Sequence, residues 1–160
     1  MADSLSTERR SWNMSRIHNK DTSIEIKVRR YLYHYGFRYR KNVRNLPGTP
    51  DIALSKYKTA IFIHGCFWHR HPNCKDATMP KTRTDFWQEK FEKNVSNDIK
   101  KQKELEGLGW KVIVLWECQI ERDFDKTMDW LIETLTARLE PFFDYSQEVF
   151  AHDYWEVDSE

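Results

Sequence analysis

The side chains with the clearest chemical potential in this sequence lie in residues 50–74, which read PDIALSKYKTAIFIHGCFWHRHPNC. Asp51 opens one β-like run, and a second β-like run ends on His64 after a polar turn. Two strands joined by a turn form a hairpin, so these two side chains are expected to face each other. A carboxylate that binds a divalent cation, beside a histidine that handles a water proton, is typical of a metal-dependent hydrolytic centre.

Two more acidic residues are candidates for the same centre. Asp98 lies between Val95 and Gln102 on the apolar stripe of a predicted helix. A carboxylate that faces inward is costly to bury without a partner, and a histidine or a metal-bound water at the sheet would supply one. Glu25 is similar, but its place in a helix capping motif explains it equally well without a catalytic role. We expect His69 to pair with Glu25.

All three cysteines of the chain fall on one candidate metal site. Cys66 and Cys74 share a polar loop with His71, and Cys118 directly follows a predicted buried strand. Four ligands of this kind form a closed, structural zinc site that would contribute about 10–16 kcal/mol to ordering the loop. Unligated cysteines buried as small hydrophobic residues are the alternative, and the polarity of the loop argues against it. His69 competes with His71 as the fourth ligand.

An aromatic pair, Phe67 and Trp68, stands inside the same loop. Gly65 has just ended the strand, and two adjacent rings in a loop point to different sides, so at least one ring is expected to be exposed. Exposed rings beside basic residues suit stacking on the bases of a nucleic acid. The pair therefore indicates a wedge that separates stacked bases, with small-molecule stacking as the weaker alternative.

The charge of the chain is strongly uneven. Residues 1–50 carry 11 Lys and Arg against 4 Asp and Glu, and residues 51–116 carry 12 against 8, whereas residues 117–160 carry 3 against 13. The first 116 residues therefore predict a surface that binds a polyanion, with an acidic end that lies apart from it. A solvated basic face is the alternative when charge is considered alone.

Length and composition indicate the class of protein. A chain of 160 residues fits one domain with its own core. Three cysteines cannot close a complete set of disulfides, which favours thiols that are free to bind metal inside the cell. No apolar run is long enough for a membrane span, and no signal-peptide pattern opens the chain. We expect a cytoplasmic protein without a membrane partner.

The pattern of the remaining chain predicts the elements that position these side chains. Helices are predicted at about 22–35, 84–107 and 125–139, and strands at 37–43, 51–55, 59–64 and 111–117. Residues 1–20 are predicted as a flexible basic arm with at most one helical turn, and 141–160 as an acidic aromatic tail. The order of elements predicts an α/β domain in which a central mixed sheet is flanked by helices.

The motif FIHGCFWHRHPNC, with PGTPD upstream and KNVSND and LWEC downstream, resembles the very-short-patch repair endonucleases. The resemblance runs from about Arg10 to Cys118. It implies a restriction-endonuclease-like fold for residues 21–140 and a structural zinc loop. It also implies Mg²⁺-dependent nicking of DNA on the 5′ side of the T in a T:G mismatch, the product of 5-methylcytosine deamination. The Asp-strand-turn-strand frame resembles PD-(D/E)xK nucleases too, with His64 in the place of their lysine.

The resemblance also implies a role for each matched position. Asp51 and the backbone carbonyl of Ile63 match the protein ligands of Mg²⁺, and His64 matches the catalytic histidine. The supporting active-site residues are matched by Glu25, His69 and Asp98. The zinc ligands are matched by Cys66, His71, Cys74 and Cys118. The residues that intercalate beside the mismatch, contact its bases or close over the duplex are matched by Phe67, Trp68, Lys90, Asn94 and Met14.

The prediction is therefore a DNA repair endonuclease that works as a monomer on double-stranded DNA with a T:G mismatch. His64 is expected to act on the attacking water with support from Asp98, while a pair of Glu25 and His69 holds the adjoining loop. One alternative is a restriction-type or nicking endonuclease of the same fold without mismatch specificity. Another is a zinc-bearing DNA-binding module without catalytic activity, but the presence of Asp51, His64 and Asp98 argues against it.

Overall fold

Helix α2 (Ser23–His34) begins at the capping motif found in the sequence. The Thr22 hydroxyl accepts a hydrogen bond from the Glu25 N–H at 3.3 Å, and the Glu25 carboxylate accepts one from the Asp21 N–H at 2.9 Å. Gly36, with a φ of 88°, ends the helix in the left-handed conformation. The structure, a computed structural model, describes residues 6–15 and 21–137.

Four strands form one mixed sheet in the order β1 (Arg40–Lys41), β2 (Ile52–Leu54), β3 (Thr59–His64) and β4 (Lys111–Trp116). The first three strands pair antiparallel, and β3 pairs parallel with β4. A parallel pair needs a long crossover connection. Helix α3 (Thr84–Gly107) lies within that crossover.

Helices cover both faces of this sheet. Strand β3 alternates its side chains: Ile61 belongs to the main core, and Ala60 and Phe62 belong to a smaller cluster with Leu105 of α3. The main core lies against α2 and α5 (Phe124–Ala137), and the buried members from these two helices are Val28, Leu32, Met128, Leu131 and Leu135. The predicted α/β architecture, a mixed sheet flanked by helices, is confirmed.

The structure differs from the predicted elements in three places. The predicted strand at 37–43 is reduced to two residues, because Phe37 turns into the core and Asn42 adopts a φ of 49°, which is outside the extended region of a strand. A short helix, α4 (Glu117–Arg122), follows β4 directly. Helix α1 (Thr7–Ser15) runs for nine residues where at most one turn was expected, and the Ser6 hydroxyl accepts a bond from the Arg9 N–H near its start.

Parts of the predicted arm and tail lie outside the described residues, namely 1–5, 16–20 and 138–160. Within the described part, no helix is both long and apolar enough to cross a membrane.

Candidate active site

One cleft of about 730 Å³ gathers all the predicted catalytic side chains. They come from four parts of the chain: the first turn of α2, the residue before β2, the end of β3 with the loop after it, and the middle of α3. The five are Glu25, Asp51, His64, His69 and Asp98. Since these positions are far apart in the sequence, the sheet and its crossover helix are what bring them together.

Asp51 lies directly before β2 and is held in place by the neighbouring strand β3. Its Oδ2 accepts a hydrogen bond from the Ile63 N–H at 2.7 Å. The N–H and C=O of one strand residue point to the same side of the strand, so the Ile63 carbonyl is also directed toward the side of Asp51. Burial raises the pKa of Asp51 to about 6 against the effect of that hydrogen bond, and the Glu25 carboxylate nearby raises it further. A cation in the cleft would relieve this cost, because it favours the charged carboxylate.

The two histidines of the cleft lie face to face. Their ring centroids are 3.8 Å apart with an interplanar angle of 7°. The backbone N–H of His69 donates to the Gly65 carbonyl at 3.1 Å, which closes a turn of the chain after β3. This turn places the His69 ring over the His64 ring. His64 is only 5% exposed. Burial lowers the pKa of His64 to about 4, and the neighbouring His69 lowers it further while Asp98 opposes the shift.

The ion pairs of the cleft differ from those expected. His69 Nδ1 lies 2.6 Å from the Asp98 carboxylate, so Asp98 bonds to His69 and not directly to His64. Glu25 instead bonds to Arg29 at 3.2 Å, one turn along the same helix. The expected pairing of Glu25 with His69 is therefore wrong: α3 runs beside the loop after β3 and places Asp98 next to His69.

The candidate zinc ligands also converge. Single ligand atoms of Cys66, His71, Cys74 and Cys118 all lie within 4.8 Å of one another. His71 Nδ1 is 3.7 Å from the Cys66 sulfur and 3.3 Å from the Cys118 sulfur. Tetrahedral zinc with ordinary bond lengths would separate a nitrogen and a sulfur ligand by about 3.6 Å. The donor set and its spacing therefore fit zinc, and His71 rather than His69 joins the cysteines.

Burial keeps two thiols of this cluster protonated in the absence of a cation. Burial raises the pKa of Cys66 to about 12 and also raises the pKa of Cys118. Thiolates in such a place need a positive charge between them. The loop is built to bring the ligands there: Arg70 donates to the carbonyls of Ala77 and Thr78 at 2.9 and 3.0 Å, and the His71 ring stacks on Trp116 at 4.3 Å.

The aromatic pair packs against α3. Phe67 makes edge contacts with Phe91 at 5.1 Å and Trp87 at 5.6 Å, and Trp68 lies 5.9 Å from Trp87. The expectation that at least one ring of the pair is exposed is wrong, because both are half-buried against these rings. Phe86, which is 44% exposed, is the outward-facing ring of this cluster.

The predicted DNA-contacting residues on α3 border the same rings. Lys90 Nζ lies 5.3 Å from the Trp68 ring centroid and 5.6 Å from that of Trp87. The Asn94 amide donates to the Trp68 carbonyl at 3.1 Å. Met14 belongs to α1, and its side chain lies outside the described residues.

Sequence reasoning missed two contributors to this region. Trp87 of α3 is half-buried and joins the rings of the loop after β3. Arg29 was overlooked because a basic residue on a helix is usually exposed. Its position four residues after Glu25 was the available signal, since side chains at that spacing meet on one helix face.

Comparison with known proteins agrees with this geometry. The family model for DNA mismatch endonuclease Vsr matches residues 2–76. A type II nicking enzyme of Neisseria meningitidis is 53% identical over 121 residues, 76% of this chain and 86% of that enzyme. A type II nicking enzyme of Xanthomonas oryzae is 42% identical over 120 residues, 75% of this chain and 88% of that enzyme.

A relative named for the cleavage of mismatched DNA covers more of the chain. The DNA mismatch endonuclease Vsr of Escherichia coli is 43% identical over 140 residues, 88% of this chain and 86% of that enzyme. Identity of this level over most of both proteins establishes common descent. The chain is therefore a DNA endonuclease and belongs to the Vsr family of DNA mismatch endonucleases.

Proposed function

We propose that this endonuclease nicks one strand of double-stranded DNA on the 5′ side of the T in a T:G mismatch. The reaction is Mg²⁺-dependent hydrolysis, and the protein acts as a monomer. The observation that carries the proposal is that the same two elements position both the hydrolytic cleft and the aromatic cluster. The hydrolytic cleft and the aromatic cluster share the loop after β3 and helix α3, which supplies Asp98 to one and Lys90 and Asn94 to the other.

Asp51 and the Ile63 carbonyl are the proposed Mg²⁺ ligands. Both are hard oxygen donors, which Mg²⁺ prefers, and both residues line the cleft at the neighbouring ends of β2 and β3. When bound there, Mg²⁺ would neutralise charge on the scissile phosphate and stabilise the leaving oxyanion. The Cys and His cluster holds the structural zinc, since sulfur ligands suit zinc and not magnesium.

Proton transfer from the attacking water is assigned to the stacked histidines. The resemblance gave this step to His64, but the geometry favours His69. Asp98 orients His69 through a 2.6 Å bond, and 30% of the His69 side chain is exposed to the cleft. A general base must reach its proton and be held in one orientation. His64, which burial keeps neutral at pH 7, supports the ring of His69 from below.

Mismatch recognition is assigned to the aromatic cluster. A T:G wobble pair is less costly to unstack than a matched pair, so inserting a ring beside it adds selectivity. Lys90 and Asn94 stand next to the rings, where they would meet the displaced bases. Nicking without mismatch preference is the second candidate, because the relatives in N. meningitidis and X. oryzae are named as nicking enzymes.

Duplexes labelled on each strand separately test the two candidates. They carry T:G or C:G at one position and are incubated with the protein and Mg²⁺, with the Asp51→Asn variant as the matched control. We expect a nick in the T strand of the mismatched duplex alone. Equal nicking of both duplexes would favour the second candidate. Binding without any nick would mean that the protein is a DNA-binding module.

A further inference from the structure

Arg29 of helix α2 is a buried charge that the proposed chemistry does not use. Its exposure is 4%, whereas arginine side chains are usually at the surface. Burying a guanidinium is costly unless its donors are paired. A buried charge that contacts two residues of the catalytic cleft, Glu25 and Asp51, therefore needs a reason to be there.

The guanidinium joins three separate parts of the chain. Nη1 lies 2.6 Å from the Asp21 carboxylate, ahead of α2, and Nη2 lies 3.2 Å from the Glu25 carboxylate. Nη2 also donates to the main-chain carbonyl of Asp51 at 3.1 Å and approaches the Asn42 side-chain oxygen at 3.5 Å. The planar fork of arginine can reach all of these acceptors at once, whereas the single ammonium of lysine cannot.

These contacts leave Asp51 held from two sides. Arg29 donates to its main-chain carbonyl at 3.1 Å, beside a longer bond of 3.3 Å from the Asn42 backbone N–H. The Ile63 N–H fixes one oxygen of its carboxylate at 2.7 Å. The positive charge of Arg29 also stands close to Glu25, whose carboxylate lines the same cleft as Asp51. Hydrogen bonds to the main chain and to the carboxylate together orient Asp51, and outer partners that orient a ligand contribute strongly to metal affinity.

We propose that Arg29 is a positioning residue that fixes Asp51 in the orientation in which it binds a divalent cation. This inference rests on the proposed assignment of Asp51 as the cation ligand. Arg29 touches neither DNA nor cation; it acts through the main chain of Asp51 and through the charge of Glu25. A merely structural arginine would stabilise α2 without affecting the cation.

Manganese binding to the zinc-loaded full chain tests the proposal without relying on activity. Free Mn²⁺ is followed by its electron paramagnetic resonance signal for Arg29→Gln, Arg29→Lys and the wild type. We expect Arg29→Gln to weaken Mn²⁺ binding by about 10–100-fold, the usual effect of losing an outer partner. Arg29→Lys keeps the charge but loses the fork, so its Mn²⁺ affinity should fall between the two. The Mg²⁺ concentration for half-maximal nicking should rise in parallel.

Lys41→Met is the matched control. Lys41 also pairs with Asp21, at 3.4 Å, but its side chain is 60% exposed and it makes no contact with Asp51. Its loss should leave Mn²⁺ affinity unchanged. If Arg29→Gln fails to fold, Arg29→Lys decides the question, because it retains the buried charge.

The outcomes separate this inference from the proposed function. Normal Mn²⁺ affinity in both Arg29 variants, beside a lowered melting temperature, would reduce Arg29 to a structural role and overturn the inference. Asp51→Asn is measured in the same series. If it binds Mn²⁺ like the wild type, the assignment of Asp51 itself fails, whatever the Arg29 variants show.

Discussion

Asp51 and His64 are withdrawn from water, and burial shifts their pKa values in opposite directions, to about 6 and about 4. Both shifts favour the uncharged form in the cation-free protein. At neutral pH His64 remains neutral, whereas Asp51 is ionised at a cost. On the proposed function, a bound cation would offset that cost, since the ionised carboxylate would then have a partner.

Asp51→Asn should make the cation-free protein more stable at neutral pH. An unfolded aspartate has a pKa of about 3.9, so between pH 4 and 6 the folded state holds more protons and stability falls as pH rises. Asparagine keeps an acceptor for the Ile63 N–H but cannot ionise. We expect a gain in unfolding free energy of about 1–3 kcal/mol at pH 7.5 and almost none at pH 4. Urea unfolding without added Mg²⁺ measures it, and identical pH profiles for variant and wild type would contradict it.

His69→Ala should slow nicking by about 10²–10⁴-fold, the usual contribution of a positioned base. Because Asp98 acts through His69, adding Asp98→Asn to that variant should cost little more. Single-turnover rates with mismatched duplex measure both effects. His34→Ala, at an exposed histidine of α2, is the control and should nick normally. A normal rate for His69→Ala beside a crippled His64→Ala would return the proton transfer to His64.

Among the elements, α3 has the unusual role of serving two sites while burying little of itself. Of its 24 residues only Phe91 and Leu105 are buried. Trp87 and Phe91 contact the rings of the loop after β3, so the orientation of helix and loop depends on aromatic contacts. Changes in the loop should therefore affect DNA binding more than folding.

Trp68→Ala tests this dependence. Loss of a stacking ring should weaken binding to the mismatched duplex by about 1–3 kcal/mol. Since Trp68 is only half-buried, the stability loss should stay below the 3–5 kcal/mol typical of a buried tryptophan. Binding titrations and thermal melts of one preparation give both values. Trp130→Ala, at a 50% exposed tryptophan of α5, should change neither. A large drop in stability with full affinity would make Trp68 a packing residue.

Local pattern predicted the elements better than their contacts. The capping motif located α2, and β-branched runs located β3 and β4, because these signals depend on neighbours in sequence. The partner of His69 and the burial of Phe67 depend on where α3 passes the loop. No local signal carries that information, so both were predicted wrongly. His71 and His69 likewise could be separated only in three dimensions.

At the scale of the whole molecule, the Cys and His cluster lies just beyond the ends of two paired strands. Cys66 and Cys74 follow β3, whereas Cys118 follows β4 after the whole crossover. A zinc ion there would link the loop after β3 to the start of α4, and it would fix the start of the segment that carries Phe67, Trp68 and His69. Metal loss should therefore affect stability and nicking together.

Elemental analysis should find one zinc per chain, and Cys118→Ser should lose it. Serine differs from cysteine by one atom but is a poor zinc ligand, so packing is nearly unchanged while the metal is lost. We expect a lower melting temperature and weaker nicking. Added Mg²⁺ should restore neither of them. A zinc-free protein that melts like the wild type would contradict the site.

The placement of Asn94 and Asp98 on one straight stretch of α3 has a consequence for where the strand is cut. Along the helix axis, Asn94 lies about 6 Å and Lys90 about 12 Å from Asp98. These distances correspond to one or a few nucleotides, whereas a full turn of the duplex is about 34 Å. On the proposed function, the distance from the base that is read to the bond that is broken is thus set by a helix and not by a linker. Variants of the cleft or the rings should change how fast the enzyme cuts, but the nick should remain at the same phosphate.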